Sequence, residues 1–138
     1  MDLVFATNNK NKLMEIKQII NNKFNILSIN DLNHFGDLEE TGSTLKDNAL
    51  QKSRFIYKKF KKSCFADDSG LEILSLNNEP GVYSARYAGL HCSADDNMNK
   101  VLKKLENKKN RNAIFKTVIS LILDGNEYFF EGSIEGVI

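Results

Sequence analysis

Asp67 and Asp68 stand side by side in Asp67-Asp68-Ser69-Gly70, directly after the apolar Cys64-Phe65-Ala66. Adjacent carboxylates at the end of a short buried strand are costly, because a lone buried carboxylate neutralises instead of staying charged. A bound cation offsets that cost. Oxygen donors suit Mg²⁺, which takes one or two carboxylates together with water and substrate phosphates. One of the pair can also orient or deprotonate an attacking water, and Ser69 can donate to a phosphate oxygen. The same four residues are also good β-turn formers, so an ordinary turn is the competing reading.

Two further clusters give the acid pair a context. Thr7-Asn8-Asn9-Lys10-Asn11-Lys12 follows the apolar Leu3–Ala6. A helix that starts after a strand presents free N–H groups and a positive dipole end to an anion. Lys10 and Lys12 add charge, while Thr7 and the asparagines add hydrogen bonds. The segment lacks the glycines and the Gly-Lys-Ser/Thr order of a Walker A loop, and a solvated strand-to-helix turn explains it as well. Glu39-Glu40-Thr41-Gly42 precedes a long helical pattern. Acid near a helix N-terminus is ordinary capping chemistry. Thr44, Asn48 and Lys52 nevertheless fall on one side of that helix. Lys52 can reach a phosphate from there as a flexible point charge, or it can belong to a solvated face. Acid pairs beside a lysine-bearing loop together point to a metal-dependent enzyme acting on a phosphorylated small molecule.

The elements that must hold these clusters are legible. Leu3–Ala6 reads as a buried strand, and residues 10–21 carry Leu13, Ile16, Ile19 and Ile20 at helical spacing. Phe24–Ile29 reads as a second strand, and 30–42 as a polar loop. Ser43 or Thr44 can cap a helix that runs to about Phe60, with Leu45, Ala49, Ile56 and Phe60 as its apolar stripe. Cys64–Ala66 and Leu71–Leu74 read as separate short extended pieces, and Pro80-Gly81 as a turn. Ser93-Ala94-Asp95-Asp96 resembles a capping box that opens a helix with Met98, Val101, Leu102 and Leu105 on one face. Ala113–Leu123 is a long strand, turned by Asp124-Gly125-Asn126 so that Glu127–Glu131 pairs back as a hairpin. Helices alternating with strands, followed by an antiparallel pair, predict an α/β domain with a mixed twisted sheet and flanking helices.

At 138 residues the chain suits one domain over 1–138. Its 41% hydrophobic and 27% charged residues are those of an ordinary globular protein, and a net charge of +1 provides no global field for nucleic acid or membrane. No apolar run reaches the roughly 18 residues of a membrane span, and no signal peptide is visible. Cys64 and Cys92 have neither metal-ligand spacing nor a disulfide framework. The reading is cytoplasmic.

In this order the segments resemble the inosine triphosphate pyrophosphatase family, which hydrolyses non-standard purine nucleoside triphosphates. Phe5-Ala6-Thr7-Asn8-Asn9-Lys10-Asn11-Lys12 is similar to its substrate loop. Glu39-Glu40-Thr41-Gly42-Ser43-Thr44, with Asn48-Ala49 and Lys52, is similar to its second motif. Ala66-Asp67-Asp68-Ser69-Gly70-Leu71 and Pro80-Gly81-Val82-Tyr83-Ser84-Ala85-Arg86-Tyr87 match its most distinctive stretch. The resemblance implies that Thr7, Asn8, Asn9, Lys10, Asn11 and Lys12 line the triphosphate site. By the same resemblance Lys52 faces the phosphates, Ser69 contacts substrate, Glu39 and Asp68 hold Mg²⁺, and Asp68 is the proton acceptor. It implies an elongated two-lobed α/β protein with a central cleft, usually a homodimer. The expected reaction converts dITP, ITP or XTP to the nucleoside monophosphate and pyrophosphate.

Family members carry a Phe-Gly-Tyr-Asp-Pro-like segment and a Ser-His-Arg motif that form much of the base pocket. Neither occurs here, and Ile134–Ile138 still reads as strand. The expectation is therefore a chain shorter than its relatives, with weak discrimination between ITP and GTP. The alternative function is an inactive, truncated nucleotide-binding remnant.

Overall fold

Alternation of apolar residues in the central strands decides what packs on each face of the sheet. The structure is a computed structural model that describes residues 1–20 and 22–138. Its strands are β1 (Asp2–Phe5), β2 (Asn25–Ser28), β3 (Cys64–Ile73), β4 (Glu79–Gly81), β5 (Asn112–Leu123) and β6 (Asn126–Val137). The helices among the described residues are α1 (Lys10–Ile20), α2 (Leu45–Phe60) and α3 (Ala94–Lys104), besides short 3-10 turns. The expected helical residue Asn21 lies outside the described residues. Hydrogen-bonded neighbours run β2-β1-β3-β5-β6, with β4 pairing beside β3. β1 runs parallel to β2 and β3, whereas β4 is antiparallel to β3, so the sheet is mixed as expected.

The chain divides into two compact units. Met1–Asp68 and Val118–Phe130 form the first. In it Val4, Ala6, Cys64, Ala66 and Ile122 pack with Ile56 of α2, while Phe5 and Phe65 pack with Leu13 and Ile16 of α1. Successive strand residues point to opposite faces, so one strand feeds both cores. Ser69–Thr117 and Glu131–Ile138 form the second unit. Its core joins Ile73, Leu76, Tyr87 and Ala113 to Val101 of α3 and to Leu105, the residue after that helix.

Several local expectations hold. Thr44 caps α2 by accepting from Asp47 N, and Ser93 with Asp96 forms the capping box of α3. Asp124 and Gly125, both at positive φ, turn β5 into β6, the backbone that a two-residue hairpin loop demands.

Other expectations are corrected. Asp67-Asp68-Ser69-Gly70 is not a turn, because β3 runs unbroken from Cys64 to Ile73. Good turn residues were overridden by pairing on both sides, to β1 at Cys64 and Phe65 and to β4 from Leu71 to Ile73. Pro80-Gly81 belongs to that β4 partner and also opens the expected turn, in which Tyr83 N donates to Pro80 O at 3.0 Å. β6 extends to Val137, well past Glu131, and so includes most of the strand-like tail. Ile19 does not join the apolar stripe of α1, since it is exposed.

Candidate active site

Because β3 is extended, Asp67 and Asp68 point to opposite faces of the sheet, and each meets a different helix. Both are buried, at 7% and 8% exposure. Asp67 lies on the α1 face, where Lys12 Nζ reaches its Oδ2 at 2.6 Å. Asp68 lies on the α2 face, where Asn48 Nδ2 donates to its Oδ2 at 3.0 Å. The other oxygen of Asp67, Oδ1, is buried without a hydrogen-bond partner.

Helix α2 organises the acidic loop residue by residue. Lys52 Nζ pairs with Glu40 Oε1 at 2.6 Å and also donates to the Asp67 carbonyl at 2.6 Å. Gln51 accepts from Thr41 N at 2.8 Å and donates to Thr41 Oγ1 at 2.9 Å. Asn48 Oδ1 accepts from Gly42 N at 2.7 Å. Lys52 is only 6% exposed, which removes the reading of it as part of a solvated face. A buried ammonium needs partners, and here a carboxylate and a carbonyl provide them.

The first loop is built by its own side chains. Thr7 Oγ1 accepts from Asn9 N, and Asn9 Oδ1 accepts from the N–H groups of Asn11 and Lys12. Asn9 thus caps α1, satisfying donors at the helix start. Asn8 reaches across to Gly36 O and Leu38 N, tying this loop to the segment that leads into Glu39. Lys10 and Asn11 are exposed.

Of the expected site residues, Lys12 and Lys52 both meet Asp67, at its carboxylate and its carbonyl, whereas Asp68 turns to the α2 face and meets Asn48. Glu39 is exposed and lines a cavity of about 210 Å³ together with Asp37, Gln51, Lys52 and Phe55. Ser69 falls in the second unit, where its Oγ shares a 2.7 Å hydrogen bond with Thr117 Oγ1. Sequence reasoning named Asn48 in a polar stripe and Gly42 in the acidic cluster without giving either a role, and it missed Gln51. The available signal was a pair of polar residues, Asn48 and Lys52, beside Ala49 and Ile56 on what becomes the buried face of α2.

The donor set fits a hard divalent cation. Its oxygens are carboxylates: Asp68 on the α2 face of the sheet, and Asp67 on the opposite, α1 face, where Oδ1 is a buried acceptor without a hydrogen-bond partner. No group of three potential His, Cys, Asp or Glu ligands forms among the described residues, and Mg²⁺ does not need three because it keeps waters and substrate oxygens. Cys64 is no nucleophile: burial pushes its thiol up to about 12, and the thiolate is the reactive form.

Residues 3–138 match the model of the Ham1 family. The chain belongs to the Ham1 family. A dITP/XTP pyrophosphatase of Flavobacterium johnsoniae is 54% identical over 138 residues, which is 100% of this chain and 72% of that protein. Another, from Flavobacterium psychrophilum, is 46% identical over 136 residues, 99% of this chain and 72% of its own length. The solved structure of the Staphylococcus aureus Ham1 protein matches with a TM-score of 0.90 at 42% identity, covering 100% of this chain and 72% of that one. The α/β architecture with its mixed sheet is therefore the Ham1 fold.

Proposed function

We propose that this Ham1 chain hydrolyses the non-standard purine triphosphates dITP, ITP and XTP to the nucleoside monophosphate and pyrophosphate. The observation that carries the reading is the β3 acid pair. Buried Asp68 is held by Asn48, and the adjacent Asp67 gathers Lys12 at its carboxylate and Lys52 at its carbonyl. The relatives named dITP/XTP pyrophosphatase support the substrate class.

In this reading Thr7, Asn8, Asn9, Lys10, Asn11 and Lys12 border the triphosphate, with Lys52 on the same anionic group and Ser69 on the substrate. Asp68 orients the attacking water and accepts its proton. Lys12 and Lys52 stabilise charge that develops on the phosphate oxygens. Glu39 and Asp68 would hold Mg²⁺, which supplies neutralisation of phosphate charge when bound. The protein works in the cytoplasm, as a homodimer, with residues 1–138 acting as one domain. No helix among the described residues is long and apolar enough to cross a membrane.

Pyrophosphate release from dITP, XTP and GTP with Mg²⁺ tests the proposal. Turnover of dITP and XTP is expected. Nucleotide binding without pyrophosphate release would support the inactive-remnant alternative.

A further inference from the structure

We propose that Asn48 is a positioning residue for Asp68, setting the plane of that carboxylate and joining it to the acidic loop. This rests on the role given to Asp68 in the proposed function.

Asn48 lies in the first turn of α2 and is completely buried. Asn is an indifferent helix former, and a buried amide is costly unless its polar atoms are matched. The buried side of α2 holds the apolar Ala49 and Ile56 and also the polar Lys52 and Ser53, each of which, like Asn48, is matched by hydrogen bonds. What the amide provides is two hydrogen bonds of opposite sense. Oδ1 accepts from Gly42 N at 2.7 Å, and Nδ2 donates to Asp68 Oδ2 at 3.0 Å.

The direction of the amide is dictated by chemistry. A backbone N–H can only donate, so the oxygen of Asn48 must face Gly42 and the nitrogen must face Asp68. The terminal torsion of Asp is intrinsically broad. A fixed N–H at Oδ2 narrows it. Gly42 has to be glycine for this arrangement. A Cβ there would lie 2.6 Å from Asp47 Cβ and 2.8 Å from Asn48 Oδ1. The amide therefore sets Asp68 and the end of the Glu39–Gly42 loop with one side chain. Asn48 Nδ2 thus donates to Asp68 Oδ2 on one face of the sheet, while Lys12 pairs with Asp67 Oδ2 on the other.

Asn48→Asp separates the two bonds, since it keeps an acceptor for Gly42 N and removes the donor to Asp68. Asn48→Ala removes both, and Gln51→Ala releases Thr41 while leaving Asp68's amide partner in place. XTP turnover and Mn²⁺ affinity of the unliganded protein, read by electron paramagnetic resonance, are measured for each variant whose thermal melt remains cooperative. Asn48→Asp is expected to lower kcat by ~10–100-fold, the usual cost of losing a partner that orients a ligand, with KM nearly unchanged. Gln51→Ala is expected to lower it less. Asn48→Ala should weaken Mn²⁺ binding by ~10-fold; should it not fold, Asn48→Ser replaces it with the same expectation. Wild-type kcat in Asn48→Asp, or wild-type Mn²⁺ affinity in the Asn48→Ala or Asn48→Ser variant, overturns the inference. A wild-type chain that binds Mn²⁺ but does not turn over XTP removes the proposed function, and the Mn²⁺ comparison still decides the role of Asn48. A wild-type chain that binds no Mn²⁺ overturns both.

Discussion

Lys12 Nζ sits 2.6 Å from Asp67 Oδ2, and the second carboxylate oxygen of Asp67 is buried with no hydrogen-bond partner. The lysine at the end of the Thr7–Lys12 segment is thus the counter-ion of a nearly buried acid. Lys12→Met leaves that acid uncompensated, which costs about 3–5 kcal/mol for a buried pair that loses one partner. The Lys12 side chain is 35% exposed, so solvent screening reduces this toward about 1–2 kcal/mol. Adding Asp67→Asn to Lys12→Met should recover part of the loss. Urea titrations of the four proteins in this cycle measure it.

Lys12 should also discriminate between ligands by charge. Lys12→Ala is expected to weaken XTP binding by about 1–3 kcal/mol, as for a hydrogen bond to a charged group, and to leave xanthosine binding little changed. Calorimetric titration with both ligands gives the comparison. Equal losses would mean that Lys12 only supports α1.

Gly42→Ala should reproduce the Asn48 phenotype without touching Asn48. The added methyl group meets Asp47 Cβ and Asn48 Oδ1 far inside normal contact distance, so the loop or the amide must shift, and the expected shift moves the amide off Asp68. Turnover is expected to fall by at least ~10-fold, as when an orienting partner is lost. Steady-state rates with XTP measure it, and a wild-type rate would show that the loop yields without moving Asn48.

The two thiols should differ in reactivity. Cys64 is buried and its thiol is pushed up to about 12 by that burial, whereas Cys92 is partly accessible. A disulfide reagent at pH 8 should therefore titrate Cys92 in the native protein, and both cysteines after denaturation.

The capping box of α3 makes part of the stability acid-sensitive. The backbone N–H of Ser93 donates to Asp96 and, with the Ser93 side chain, holds the Asp96 carboxyl below its ordinary range. A depressed folded-state value stabilises the protein above the unfolded carboxylate value near ~4 and loses that contribution as pH falls through the folded value. The Tm difference between wild type and Asp96→Asn should accordingly shrink as pH is lowered from about 5 to about 3.

Helix starts were readable in the sequence because caps are local: Thr44 and Ser93 each satisfy an N–H three residues away. The acid pair was readable as chemistry because adjacent carboxylates in an apolar context are rare. Its backbone was not, because Asp67-Asp68-Ser69-Gly70 has turn propensity and only strand pairing, a long-range effect, keeps it extended. The same applies to Asn48. Its spacing from Lys52 placed it on a helix face, but its two partners lie 6 residues before it and 20 after it. No local pattern encodes that meeting.

The most direct test of the account is pyrophosphate release from XTP and dITP with Mg²⁺, comparing wild type with Asp68→Asn. The account predicts turnover in the wild type and a loss of at least ~100-fold in the variant, as expected when a general base is removed, with the fold retained by circular dichroism. Turnover in Asp68→Asn close to the wild-type rate would contradict it.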